Sequence, residues 1–453
     1  MSSLLERARG FLDEVRGGGT LARRFAMGST AAFLVYLLGH GLAFLTQLLI
    51  ARVLGANSYG IYAFVFACLS VLAYAAMLGF NIAILRFIPI YIASKAWQLL
   101  AGVIQYAERR VTAASLLLIM AGTMLVLIVG SEPQLELRNT FWIGFPLVLL
   151  WSIVWIRCAI VRAYGGVVSA LVPIRVVREG FLFTFVCGLS LLHDWHGGAQ
   201  LIMAATVAGS LLALIVATRT MHRLHPRELK GAVPEYDAPT WRAAAFPLVI
   251  VTAVEALFDK TGVLILGLAG NNESAGIYAL VFNMAMLVVL PRTAIDTIFA
   301  PTIARLHAER KDAEVQALIM RASLLSFVVA SCIALALAVV AGPLLSWFGP
   351  EFAAGAMPLR ILLLGQLLAA GSGSQLLVMA MTGNESGAAQ MLALSALANL
   401  LLCAAFVSLF GLIGAAIATA VALVAWNVLM AVDIWRKLQL WPGIFGVFRP
   451  AIV

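Results

Sequence analysis

LGANSYGIYAFVFACLSVLAYAAMLG, residues 54–79, opens on a short loop of glycine, asparagine and serine and then continues without a single charge. An uncharged apolar run near 20 residues is long enough to cross the ~30 Å hydrocarbon core of a bilayer as a helix, at ~1.5 Å per residue. Such runs recur from end to end, most clearly at 27–51, 59–80, 111–130, 140–161, 198–218 and 322–344. Of 453 residues, 63% are hydrophobic and 11% charged, with mean hydropathy +1.01. Soluble domains carry about 25% charged residues, so the solvent of this chain is lipid. The longest polar connection, 219–242, leaves no room for a sizeable soluble domain. The reading is an all-α polytopic membrane protein.

Twelve transmembrane helices are predicted, near 27–51, 59–80, 111–130, 140–161, 168–192, 198–218, 243–268, 275–299, 322–344, 358–381, 388–409 and 411–434. With both termini in the cytoplasm, 25 of the 30 Lys and Arg residues fall in cytoplasmic connections, termini or helix ends. Only Arg52 and Arg138 are then periplasmic, Arg360 sits just inside a helix start, and Lys260 and Arg292 lie within spans. That asymmetry is the positive-inside rule at work. Residues 1–26 are basic and weakly apolar and lack a small-residue cleavage site, which predicts an amphipathic cytoplasmic segment rather than a removable signal. The expected division is an N-lobe at 27–218, a cytoplasmic linker at 219–242, a C-lobe at 243–434 and a cytoplasmic tail at 435–453.

The sequence also repeats itself. GIYAFVF at 60–66 returns as GIYALVF at 276–282, an offset of 216 residues, each copy after a Gly/Asn/Ser loop at the start of the second helix of its half. Six helices per half make the repeat parallel, with a pseudo-twofold axis along the membrane normal. Repeats of this kind are characteristic of transporters, which rock one half against the other around a site between them.

ARVLGANSYGIYAF (51–64) followed by LGFNIAILRFIPIY (78–91) resembles the first helical hairpin of bacterial polysaccharide-transport flippases. These are the O-antigen and capsule repeat-unit flippases of the multidrug/oligosaccharidyl-lipid/polysaccharide superfamily. GIYALVFNMAMLVVLPRTAIDTIFAPTIARLHAE (276–309), FGPEFAAGAMPLRILLLGQ (348–366) and FGLIGAAIATAVA (410–422) extend the likeness over most of the chain in the right order. The resemblance implies a V-shaped, MATE-like bundle of two six-helix lobes around a central cationic cavity, in the bacterial inner membrane. It implies a cargo of oligosaccharide on an undecaprenyl diphosphate carrier, flipped from the cytoplasmic to the periplasmic leaflet by alternating access coupled to H⁺ or Na⁺. The partners implied are that lipid, the surrounding membrane lipids, and the polymerase and glycosyltransferases of the same polysaccharide pathway. The protein is expected to act as a monomer, without a cofactor.

Charges inside spans are the first candidates for a site, because each costs ~2.5–3.5 kcal/mol at a helix centre and therefore faces protein or water. Arg157 and Arg292 lie about 25 Å from the periplasmic starts of the fourth and eighth helices, and Arg175 and Arg178 a few turns into the fifth. All four fall in the cytoplasmic half, where a diphosphate headgroup is collected, and guanidinium binds phosphate oxygens in bidentate fashion. The competing reading makes Arg157, Arg162, Arg175 and Arg178 snorkelling residues beside a cytoplasmic connection, with Arg175 paired to Glu179 one turn on. In the seventh helix, Glu255, Asp259 and Lys260 interrupt VIVTAVEALFDKTGVLILGLA (249–269), and Thr252, Glu255 and Asp259 share a face. Glu255 can form an ion pair with Arg292, or Glu255 and Asp259 can take up the coupling H⁺ or Na⁺. Lys260 holds cargo phosphate or neutralises Asp259.

Two polar stripes complete the candidates: Tyr36, His40 and Gln47 on the first helix, and Ser70, Tyr74 and Asn81 on the second, both at spacings of 4 and 7. They suit sugar hydroxyls and sugar faces, although interhelical hydrogen bonds use the same pattern. Pro173, Pro291, Pro301 and the Gly371–Ser374 run are expected to loosen helices 5, 8 and 10. The five cysteines and six histidines are scattered without metal or disulfide spacing. Two other functions compete. A multidrug/cation antiporter would favour an acidic, aromatic-lined cavity. A membrane polymerase or glycosyltransferase would need a substantial loop for its chemistry, whereas 131–139, 193–198, 269–274 and 346–357 are short, so no enzyme is expected. The net charge of +9 is the orientation signal and implies no nucleic-acid partner.

Overall fold

A computed structural model describes residues 20–129, 135–191, 198–229, 231–293, 295, 309, 311–381, 385–441 and 443–444. The described residues are helical, with short turns and no strand. Two of the helices are hairpins. Helix 20–76 breaks at Gly55 (φ 72°, ψ 172°) and helix 385–438 breaks at Gly411 (φ 55°, ψ −129°), backbone conformations that a side chain disfavours. The Tyr59 hydroxyl donates to Gln47 Oε1 at 3.1 Å, although 12 residues of straight helix would hold them about 18 Å apart. Cys403 Sγ likewise lies 3.8 Å from Thr419 Oγ1. The chain therefore reverses at both glycines.

Counted as legs, the helices are α1 (20–54), α2 (56–76, continued by Phe80–Ala93), α3 (Trp97–Val129), α4 (Leu135–Gly144 and Pro146–Ala163) and α5 (Val167–Val172, a π-turn Pro173–Arg178, and Glu179–Ser190). Then follow α6 (Ala199–Leu224), α7 (Ala238–Leu268), α8 (Asn272–Ala285, continued by a 3₁₀ turn Met286–Val289) and α9 (Asp312–Ser346). The last are α10 (Ala356–Gly371, followed by Gln375–Met381), α11 (385–410) and α12 (412–438). Several legs outrun the apolar windows: α3 begins at Trp97, where the sequence pattern starts at residue 111. The N-terminal segment 1–19 and the tail beyond residue 444 lie outside the described residues, as does Pro301.

The two copies of the repeated motif meet each other. A Cβ on Gly60 would sit 1.7 Å from the Asn272 carbonyl oxygen, and one on Gly276 2.3 Å from that of Ala56. Thus α2 and α8 cross backbone to backbone at their paired glycines. The flanking side chains obey the same symmetry. The Tyr62 hydroxyl is 3.2 Å from Thr206 Oγ1 on α6, and the Tyr278 hydroxyl 2.8 Å from Thr419 Oγ1 on α12. Phe66 and Phe282 each pack on the tyrosine one turn before them.

Burial follows this crossing. At the end bearing Gly55, Gly270 and Gly411 (the hairpin end), one apolar core runs through both halves, with Tyr59, Leu69, Val148, Leu280 and Phe352 among its members. At the opposite end (the linker end) the cores divide. One is built on α2, α3, α4 and the start of α7 around Ile84, Leu100, Ile160 and Trp241. Another joins α9, α10, α12 and Leu440 around Ile319, Met379 and Ile434. The halves are joined at the hairpin end, and towards the linker end the start of α7 stays packed on the first lobe: Trp241 Nε1 donates to the Tyr91 hydroxyl at 2.9 Å, and a Cβ on Gly79 would sit 2.3 Å from the Ala245 carbonyl oxygen.

Candidate functional site

Helix α5 changes pitch where the charges begin. Pro173 has no N–H to give to the preceding turn, and the chain widens into the π-turn Pro173–Arg178. That turn carries Arg175 and Arg178 and presses against α1, where a Cβ on Gly39 would meet Arg175 Cβ at 2.5 Å. Only a glycine fits there. Arg178 Nε donates to Glu179 Oε1 at 2.9 Å, and its guanidinium carbon stands 5.7 Å from the centre of the Trp151 ring. Arg175 stands 5.2 Å over the ring of Tyr36, and among the described residues it has no carboxylate at ion-pair distance. The sequence pairing of Arg175 with Glu179 is thus replaced by Arg178 with Glu179, because the widened turn rotates the two arginines relative to a regular helix.

Both arginines open onto a cleft of about 430 Å³ between the halves. Its first-lobe wall is Ser70, Tyr74 and Asn81 of α2 with Trp151 and Trp155 of α4, and its second-lobe wall is Thr252, Asp259 and Lys260 of α7. Depth can be read from chain direction. Lys260 lies 5.9 Å over the Phe66 ring at the inner limit, and Asn81 and Thr252 lie at the linker-ward limit, where α7 packs on α2 beside Gly79. From Phe66 to Ala76, α2 rises about 15 Å before the turn at Met77–Gly79, where Leu78 and Gly79 take positive φ. Asp259 is exposed, yet what it faces is this cleft.

Of the residues singled out from sequence, the fold therefore gathers Tyr74, Asn81, Arg175, Arg178, Asp259 and Lys260 around one space. His40 and Gln47 line a second, largely apolar groove between α1 and α8, of about 180 Å³, with Phe44, Asn283, Met286 and Leu290. Tyr36 bridges the two: its ring centre is 4.1 Å from that of His40, and its face receives Arg175. Arg292 stands half-buried two residues beyond Leu290, at the linker-ward end of that groove. Arg157 does not line either space. Its Nε donates to Glu108 Oε1 on α3 at 2.9 Å and its Nη1 to Thr218 on α6, tying three helices of the first lobe. The side chain of Glu255 lies outside the described residues, so the pairing with Arg292 does too. Trp151 and Trp155 were missed in the sequence, since tryptophans in an apolar run carry no signal of which way they point.

Residues 25–307, more than half of the chain, match the family described as polysaccharide biosynthesis protein. The chain belongs to that family. Among solved structures, this polysaccharide biosynthesis protein is similar to an inward-facing multidrug resistance MATE family transporter of the MOP superfamily. The TM-score is 0.70 at 12% identity, over 90% of this chain and 98% of that one. It is similar also to lipid II flippase MurJ in an inward closed conformation, with TM-score 0.69 and 13% identity over 90% and 87% of the two chains. An outward-facing multidrug resistance MATE family transporter overlays with TM-score 0.59 at 13% identity, over 91% and 95%. At such identities the likeness is one of fold. None of the curated proteins matches the chain.

Proposed function

We propose that this protein flips an oligosaccharide linked to undecaprenyl diphosphate from the cytoplasmic to the periplasmic leaflet of the bacterial inner membrane. The observation that carries the reading is the cleft between the lobes, in which Arg175 meets no described carboxylate. A diphosphate diester needs cations deep in a membrane protein, and Arg175, Arg178 and Lys260 supply them from both lobes. The apolar groove between α1 and α8, with Arg292 at its end, suits a prenyl chain leaving sideways while the headgroup stays in the cleft. Placing the linker end in the cytoplasm agrees with the distribution of Lys and Arg and makes the cleft an inward-facing one.

Transport follows from parting and rejoining the lobes at the Gly60–Gly276 crossing. Headgroup binding neutralises the cleft, the linker end closes, and the hairpin end parts to release the cargo. In this reading Asp259, with Glu255 four residues before it in the sequence, binds H⁺ or Na⁺ in one of the two states and so drives the cycle. A multidrug/cation antiporter is the second reading, favoured by the MATE-like fold and by Asp259 in the cleft. Proteoliposomes with a fluorescent undecaprenyl-diphosphate oligosaccharide, under imposed pH or Na⁺ gradients, separate the two. Leaflet transfer that is lost in Arg175→Ala supports the flippase. Efflux of cationic dyes with no lipid transfer would establish the antiporter instead.

A further inference from the structure

Resting on the flippase reading, we propose that Trp155, Tyr74 and Asn81 form the subsite that recognises the first sugar of the cargo, on the linker side of the phosphate-binding arginines. The aromatic wall of the cleft has two tryptophans with different duties. Trp151 is 5% exposed; its indole N–H donates to Ser210 Oγ at 2.9 Å, Phe66 packs on it edgewise at 4.9 Å, and Arg178 covers it. It is a fixed support for the cation. Trp155, one turn nearer the linker end, is half-buried and meets the Tyr74 ring at 6.1 Å with the planes tilted by 42°. Two tilted aromatic faces on the cleft wall present an apolar, weakly negative surface, complementary to the C–H face of a pyranose.

Asn81 supplies a second and independent observation. Its side-chain Oδ1 is buried at the same cleft and has no hydrogen-bond partner among the described residues. A buried carbonyl without a donor is left desolvated at a cost, and a ligand that brings a hydroxyl or acetamido N–H relieves that cost. Asn81 follows Tyr74 just past the turn at Met77–Gly79 and lines the same cleft, so one ligand can meet both. Cations level with or deeper than Tyr74, and aromatic and amide groups from there to the linker-ward limit of the cleft, sort the headgroup into a phosphate end and a glycan end. The glycan is the part nearest the cytoplasm in this state.

The test compares equilibrium binding of fluorescent undecaprenyl diphosphate with that of the same lipid bearing one N-acetylhexosamine, to the purified full chain. The wild type is expected to prefer the sugar-bearing lipid. Trp155→Leu should reduce that preference about tenfold while affinity for the bare diphosphate is unchanged, and Trp155→Phe should retain most of it. Asn81→Leu should lower the preference in the same direction. Arg175→Ala should weaken both lipids together. A wild type that binds both lipids equally, a preference that survives Trp155→Leu, or a Trp155→Leu loss that affects both lipids alike would overturn the sugar subsite. A wild type that binds neither lipid would refute the flippase reading itself. Thermal unfolding of each variant separates a lost contact from a lost fold.

Discussion

Substituting Gly60 by alanine tests whether the paired glycines are the joint between the lobes. The built Cβ lies 1.7 Å from the Asn272 carbonyl oxygen and 2.9 Å from the Gly276 nitrogen. Both are backbone atoms, so no side chain can swing aside. An ordinary carbon–oxygen contact is about 3.3 Å, so α2 and α8 must separate by about 1.6 Å at the crossing. Overpacking of this kind costs ~1–3 kcal/mol, whereas alanine in place of glycine inside a helix is worth up to ~1 kcal/mol in propensity alone. The sign is therefore informative: Gly60→Ala should destabilise the observed state by about 1–2 kcal/mol and shift the balance towards a hairpin-end-open state by a factor of about 5–30. Spin labels at the exposed positions Asn57 and Glu273, on a background without the native cysteines, report the distance across the joint. A longer-distance population should appear in Gly60→Ala and again in Gly276→Ala. The double variant should add less than the sum, because one opening accommodates both methyl groups. An unchanged distance distribution together with an unchanged or raised melting temperature would refute the argument.

Three further outcomes follow from particular contacts. Arg157→Ala should lower thermal stability by about 1 kcal/mol, the upper range for a partly exposed pair, because it strands Glu108. It should leave affinity for lipid diphosphate intact, whereas Arg175→Ala should do the reverse; unfolding and lipid-binding curves on both variants check this. Tyr62→Phe and Tyr278→Phe should each cost about 0.6 kcal/mol, the average for an interhelical hydrogen bond in a membrane protein, and a large difference between them would deny the pseudo-symmetry of their threonine partners. The Gln316 side chain holds the Trp441 backbone through two hydrogen bonds, at 2.8 and 2.7 Å. Gln316→Leu should therefore release the segment after α12, read as faster thiol labelling of Leu440→Cys, a side chain that is 4% exposed.

Much of the architecture was legible before any coordinates. Run lengths gave the legs, because a bilayer imposes one length on every spanning helix, and the recurrence of GIYAFVF as GIYALVF placed two equivalent helices 216 residues apart. The cost of a charge in hydrocarbon singled out Arg175, Arg178, Asp259 and Lys260 without reference to any neighbour.

Rotation and pairing of the helices came only from the tertiary structure. In water an amphipathic stripe tells which face is buried, but lipid is as apolar as a protein interior, so an uncharged membrane helix carries almost no such stripe. Nothing local to α4 says that Arg157 turns to Glu108, 49 residues away, while Trp155 turns to the cleft. Nothing in α5 alone says that Pro173 opens a π-turn and gives Glu179 to Arg178 instead of Arg175. The meeting of Gly60 with Gly276 needs both halves folded, since each glycine has a use only against the other's backbone.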